Sequence, residues 1–361
     1  MQPTTLAVRV GVAGGAIMES MRAHAAVIAL VTAYAACGLL ISTLLGHSDK
    51  TWPALYVSFY LSKSLLLILF YVLARLAHAM LIVRPERLLD HVLRDFLYNP
   101  AVHRQLAAGL PLVVAVPVFF SVFASLKGFI PEINPFGWDA AFAAWDRWIH
   151  GGIDPWRILQ PVVGHPVITF FFDLVYCSWF YVLQLVCIWQ AFSVTRPQLR
   201  MQFFLTFLLV WVLLGNIGAV LLASVGPIFY EPLLGSPGPY QPLTAYLGAA
   251  KAQLPIWSLD MQAQLWNGYL HPTLSIAGGI SAMPSIHVAM AFLLALLGWR
   301  IRRAVGILFA VYTALILIAA VHLGWHYAID GYAGIAGTYV IWRAVGWVLA
   351  RANTVAIAST A

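Results

Sequence analysis

His287, His326 and Asp330 are the side chains in this sequence best suited to chemistry. His326 and Asp330 stand four residues apart in V-H-L-G-W-H-Y-A-I-D, residues 321–330, and His287 closes A-M-P-S-I-H at 282–287. Residues at i and i+4 share one face of a helix, so Asp330 is expected to accept a hydrogen bond from one ring nitrogen of His326. The other nitrogen is then a nucleophile or base, and the carboxylate stabilises the positive charge that grows on the ring. A second histidine supplies what a displacement at phosphorus still needs, an acid for the departing oxygen. Pro284 and Ser285 read as the first turn of a helix, where proline is favoured. Amides of such a turn, with the Ser285 hydroxyl, would hold a phosphate between His287 and His326.

These side chains must be positioned by a membrane bundle. Of 361 residues, 62% are hydrophobic and 9% charged, which excludes an ordinary soluble globular chain. Backbone groups in hydrocarbon must be satisfied internally, and long unbroken apolar runs suit helices better than alternating strands. The expected fold is therefore an all-α polytopic transmembrane bundle with interfacial helices. About eight spans are predicted, with six as the lower bound, near 24–46, 54–83, 107–130, 166–193, 202–225, 284–299, 304–321 and 327–349. The 39 positions from His287 to His326 suit one span inward and one back, so the two histidines should meet at one membrane face. Ionisable groups are costly in a bilayer, and three that converge mark a functional site.

Arg9, Arg22, Arg84, Arg87, Arg94, Arg104, Arg196, Arg200, Arg300, Arg302, Arg303 and Arg351 fall on one side of this arrangement; Lys50, Lys127, Arg147, Arg157 and Lys251 fall on the other. The positive-inside rule puts the first group, and both termini, in the cytoplasm. The site then faces the periplasm or lumen from a plasma or inner membrane. The net charge of +7 is thus a topology signal, and its dispersal over short loops argues against a nucleic-acid partner. Cys37, Cys177 and Cys187 all fall within predicted spans, so no disulfide framework is expected. Residues 1–23 lack a signal-peptide core, and the first span is read as a retained anchor.

No repeat or low-complexity tract breaks the chain into modules. One membrane catalytic domain is expected over 131–349, preceded by a transmembrane region, 1–130, without an assigned role. Leu88, Leu89, Val92, Leu93, Phe96 and Leu97 form an apolar stripe opposite Arg87, Asp90, Arg94 and Asp95, as on a helix lying in the interface or packed on the bundle. Two long outer segments, 131–165 rich in tryptophan and 226–283 rich in glycine and proline, suggest an ordered lid. Two other readings compete with the catalytic one: histidines as plain interfacial anchors, and a metal site of His322, His326 and Asp330 repeating every four residues, since imidazole and carboxylate suit zinc. The metal reading leaves His287 without a role, so no metal or other cofactor is expected.

At A-M-P-S-I-H-V-A-M (282–290) and G-W-H-Y-A-I-D-G-Y-A-G (324–334) the chain resembles the type 2 phosphatidic acid phosphatase superfamily. Within it, the nearer likeness is to the inositol phosphorylceramide synthase-like branch of phosphotransferases. The resemblance extends loosely over about 135–345, and residues 1–130 carry no family signal. It implies His326 as a nucleophile that becomes phosphohistidine, Asp330 as its orienting carboxylate and His287 as the general acid. Two features depart from the superfamily pattern. Its phosphatases carry Lys-x6-Arg-Pro, whereas Arg84-Pro85 is preceded seven residues earlier by Ala77 and Arg196-Pro197 by Trp189; they also carry arginine six residues before the last histidine, where this chain has Ala320. Phosphate charge would then be met by helix amides, by His322, or by an outer cation such as Lys251, Arg147 or Arg157. Gly226, Pro227 and Tyr230 in G-P-I-F-Y occupy the place of the branch's Gly-Pro loop, either as headgroup surroundings or as plain turn residues.

The resemblance thus implies a membrane lipid phosphotransferase that moves a phosphoryl headgroup, inositol phosphate among the candidates, from a phospholipid donor to a lipid or other alcohol. A phosphatase acting on a lipid phosphate or polyprenyl diphosphate would use the same three residues. A non-enzymatic transporter or scaffold is the reading of another class. Apart from substrates, membrane lipids are the expected partners.

Overall fold

The computed structural model describes residues 18–47, 69, 72–73, 75–235, 237–271 and 279–358, with side chains through residue 352. Among these residues every regular element is helical, and the chain is an integral membrane protein of the all-α polytopic class. The principal helices are α1 (Ala25–Leu44), α2 (Leu88–Tyr98), α3 (Pro100–Gly128), α4 (Asp139–Ile149), α5 (Pro155–Val163), α6 (Pro166–Phe192), α7 (Pro197–Val212), α8 (Gln241–Lys251), α9 (Trp257–Leu270), α10 (Ile286–Ile301), α11 (Arg303–His322) and α12 (Ala328–Ala358).

Among the described residues six helices are long and apolar enough to cross a bilayer: α1, α3, α6, α7 continued to Leu221, α11 and α12. The expected span at 284–299 is the apolar helix α10, which at 16 residues reaches about 24 Å and falls short of a full hydrocarbon thickness by itself. The expected span at 54–83 lies mostly outside the described residues; its described end is a wide π turn, Ala79–Val83.

The chain divides into two compact units. One comprises residues 1–122 and 184–201. There α1 buries Val27, Val31, Tyr34, Gly38 and Ser42, the three-and-four spacing of one helical face, and Tyr34 stacks on Phe119 at 4.7 Å. In α2 of the same unit, Leu89, Leu93 and Leu97 are exposed, the apolar stripe read from the sequence.

The other unit comprises 123–183 and 202–361. Its core includes Phe142, Trp156, Phe172, Tyr176, Tyr240, Leu243, Ala319, Ala320 and Tyr327. The outer segments expected as a lid are helical here: α4 and α5 in 131–165, α8 and α9 in 226–283. One face of α6, carrying Thr169, Phe172, Asp173, Tyr176, Trp179 and Leu183 at three-and-four spacing, is buried against this core. Two polar groups on the buried face of a membrane helix are costly unless they are used. Both are: Thr169 bonds to α11, and Asp173 caps α9 by accepting from the amides of Trp257 at 2.8 Å and Ser258 at 2.9 Å.

Candidate active site

The histidine that ends the last motif sits on a loop between helices. Helix α11 ends at His322, and Gly324 (φ +72°) reverses the chain in a conformation that favours glycine. The amides of Trp325 and His326 then both donate to the Ala320 carbonyl, at 2.9 and 3.1 Å. Helix α12 begins two residues later, at Ala328, with Tyr327 as its N-cap residue. Asp330, the third residue of α12, turns back: its Oδ2 accepts from the Tyr327 amide at 3.0 Å and lies 3.3 Å from His326 Nδ1.

The expected His326–Asp330 contact is therefore present, but its cause is corrected. It is the reach-back half of a capping box at a helix start, not a shared helical face, because the helix begins after His326. The same break removes the premise of the metal reading. His322 closes α11 and Asp330 opens α12, so the two do not repeat along one helix. Among the described residues no three His, Cys, Asp or Glu side chains converge as a metal would need.

Two carboxylates from α4 brace this loop. Asp146 accepts the first amides of α12, Ala328 at 3.0 Å and Ile329 at 3.1 Å. A carboxylate suits that position because it meets both orphan amides and the positive end of the helix dipole. Asp139 accepts from the Val225 and Gly226 amides and from the Tyr327 hydroxyl, the last at 2.9 Å. Burial pushes both carboxyl groups above their ordinary value, while the amide bonds pull them back. Burial, with the Asp139 charge beside it, also holds the Tyr327 hydroxyl well above its usual range, so it stays protonated and donates.

The Gly-Pro turn backs onto the same loop. Gly226 has φ +91°, and a Cβ there would stand 2.6 Å from the Trp325 carbonyl oxygen, so only glycine fits. Pro227 is buried in the next turn, Ile228 N donates to Gly324 O at 2.9 Å, and Tyr230 packs its ring on Tyr240.

His287 lies at the start of α10. Ser285 is the N-cap: it is fully buried, its Oγ accepts from the Val288 amide at 3.4 Å, and its own amide donates to the Asp330 carbonyl at 3.0 Å. Pro284 thus precedes the cap and does not fill the first helical position, because Ser285 is extended (φ −69°, ψ 109°) and α10 opens only at Ile286. The Ser285–Asp330 bond ties the two motifs together. The rings of His287 and His326 are 5.9 Å apart, centre to centre. Tyr176 stacks on His287 at 4.6 Å, and Trp179 lies 4.3 Å from it.

The remaining sequence candidates are engaged elsewhere. His322 is fully buried, with Nε2 2.9 Å from Thr169 Oγ1, which in turn meets Tyr246. Lys251 is exposed and ion-paired with Asp260. Arg147 and Arg157 both pair with Asp154.

A cation that the sequence reading passed over is Lys127, at the end of α3, which lies close enough to His287 to act on it electrostatically. A local signal existed. Lys127 is followed seven residues later by Asn134-Pro135, the Lys-x6-Arg-Pro pattern with asparagine in place of arginine, and Asn134 donates to the Val220 carbonyl at 2.7 Å. Asp139 and Asp146 were also passed over as site residues, since their partners lie more than 80 residues away and leave no local pattern.

A family model described as the PAP2 superfamily matches residues 140–344, more than half of the chain. No curated protein and no solved structure matches it.

Proposed function

The chain belongs to the PAP2 superfamily, and from that premise we propose that it is a membrane lipid phosphotransferase working through a phosphohistidine at His326. Its donor is a phospholipid and its acceptor a lipid alcohol, with inositol phosphate among the headgroups it could carry. The observation that carries the reading is the pair of imidazoles 5.9 Å apart, one of them on a buried carboxylate at 3.3 Å.

The chemistry follows from these contacts. Asp330 accepts a hydrogen bond from Nδ1–H of His326, which leaves the Nε2 lone pair to attack phosphorus. As the Nε2–P bond forms, the bond from phosphorus to the glycerol oxygen breaks, and His287 gives that oxygen its proton. In the second half the acceptor hydroxyl attacks phosphorus, its proton passes to His287, and the N–P bond breaks to restore His326. Lys127 and the amides at the start of α10 meet the charge on the non-bridging oxygens. Ser285 and Gly226-Pro227 set the distance between the two motifs, and Tyr230 packs behind the turn. His322 supports α11, and Lys251 belongs to the lid.

Transfer is favoured over hydrolysis because Ala320 and Asn134 stand where arginines would hold a phosphomonoester. The arginine distribution supports a site on the periplasmic or lumenal side. The test is to incubate the purified protein with phosphorus-labelled phospholipids and an alcohol acceptor, then trap acid-labile, base-stable label. Label on His326 and a new phospholipid product are expected, both lost in His326→Ala, with a fall in turnover on the order of 10⁴-fold or more. Free phosphate as the product would make it a phosphatase, and activity retained in His326→Ala would sink the mechanism.

A further inference from the structure

Among the described residues, three ring donors around the histidine pair meet no acceptor. The Tyr176 hydroxyl, Trp179 Nε1 and Trp325 Nε1 are buried and without a hydrogen-bond partner among the described residues. Tyr176 and Trp179 are only 4% and 6% exposed and sit three residues apart on the buried face of α6. The Tyr176 ring stacks on His287 at 4.6 Å and on Trp325 at 5.7 Å, and Trp325 directly precedes His326. An unmet buried donor is destabilising, and at Tyr176 phenylalanine would fill the same space without that cost. Packing therefore accounts for the rings but not for their polar atoms. Three such donors beside one reactive pair point to a ligand that accepts from them.

Resting on the phosphotransferase reading above, we propose that Tyr176, Trp179 and Trp325 form a neutral donor cage for the non-bridging phosphoryl oxygens, one that selects a singly charged phosphodiester over a doubly charged phosphomonoester. Charge decides between the two classes. The cost of moving an ion out of water rises with the square of its charge, so a dianion costs about four times what a monoanion does. Neutral N–H and O–H dipoles stabilise an anion without adding positive charge. Lys127 supplies one cation near His287, and the Asp330 carboxylate offsets it beside His326. With the proton that His287 carries as the acid of the proposed mechanism, the surroundings hold one net positive charge, which matches the one negative charge of a diester and leaves a monoester's second charge uncompensated. The donor class is a glycerophospholipid whose phosphate carries a headgroup on its far side.

The test uses the full-length protein in lipid nanodiscs, with phosphorus-labelled phosphatidylinositol and phosphatidylglycerol as diesters and phosphatidate as the monoester. The wild type is expected to label His326 from a diester at least 100-fold more efficiently than from phosphatidate. Tyr176→Phe and Trp325→Phe should each lower diester turnover roughly 10- to 100-fold, and Tyr176→Phe should leave the melting temperature unchanged or raised, because it removes an unmet donor and keeps the ring. A structural role alone would instead lower the melting temperature with activity. The cage is overturned if His326 is labelled as readily by phosphatidate, or if both variants keep wild-type turnover. In either case the phosphohistidine reading stands. Absence of label on His326 from both lipid classes overturns the cage together with the reading it rests on.

Discussion

His326 and His287 stand 5.9 Å apart, yet one is surrounded by hydrogen-bonded carboxylates and the other by stacked rings. Around His326, Asp330 holds Nδ1 and the Tyr327 amide, Asp146 holds the next two amides of α12, and Asp139 holds the Tyr327 hydroxyl. Around His287 the neighbours are the faces of Tyr176 and Trp179. On the mechanism proposed above, the difference shows how one site can ask two things of the same side chain. A nucleophile needs one tautomer and one direction, which a fixed hydrogen bond supplies. A proton donor that must also take its proton back needs a defined place but not a fixed partner, which ring contact supplies. In a water-poor bundle the carboxylates around His326 also satisfy the first amides of α12, whereas the start of α10, which carries His287, is capped by the Ser285 hydroxyl.

Substitutions on the carboxylate side give the sharpest contrast, beginning at Asp330. Asp330→Asn keeps the shape but can present an amide N–H to His326, favouring the wrong tautomer. Turnover should fall on the order of 10³-fold with donor KM little changed; steady-state kinetics on both parameters would check it, and a loss of less than tenfold would mean that the carboxylate does not orient the ring. Asp146→Ala removes two amide acceptors without touching either histidine. We expect stability to fall by about 1–2 kcal/mol, and turnover to fall roughly 10- to 100-fold as the histidine loop shifts. If turnover holds while stability falls, the brace from α4 is structural only.

Asp173→Ala is the control, since it uncaps α9 on the same principle. A comparable loss of stability, about 0.5–2 kcal/mol, should come with less than a tenfold change in turnover, measured by thermal unfolding beside kinetics. The smallest expected effect is a pH slope. Burial raises the Asp139 carboxyl, so it binds its proton more tightly folded than unfolded. Its stabilising contribution is fully present below the unfolded carboxylate value and is lost as pH rises through the folded one. Denaturant unfolding of wild type against Asp139→Asn should show that decline only in the wild type, at no more than about 1.4 kcal/mol per pH unit. An equal slope in both would assign it to another group.

Much of this was legible in the sequence for a physical reason. Helical membrane architecture is set by composition, and the types and spacing of His287, His326 and Asp330 are local facts. The contact between His326 and Asp330 was anticipated from helical periodicity, yet it arises at a helix start, because i and i+4 also meet when the later residue reaches back to a cap. Lys127 stayed hidden because its motif has lost the arginine that makes it recognisable. Asp139 and Asp146 in a tryptophan-rich outer segment look like ordinary interfacial acids; their partners lie up to 188 residues away, and no window of sequence displays such a pairing.

That separation bears on biogenesis. At about 5–20 residues per second, a ribosome reaches Tyr327 roughly 10 to 40 s after Asp139 has emerged. Until then Asp146 lacks the two amides it holds, Asp139 has only those of Val225 and Gly226, and the imidazole proposed for attack does not yet exist. On the mechanism proposed above, a partly translated chain, or one shortened before its final crossing, would be inert toward the lipids it is already threaded among, and chemical competence would arrive only with the closing of the last helix.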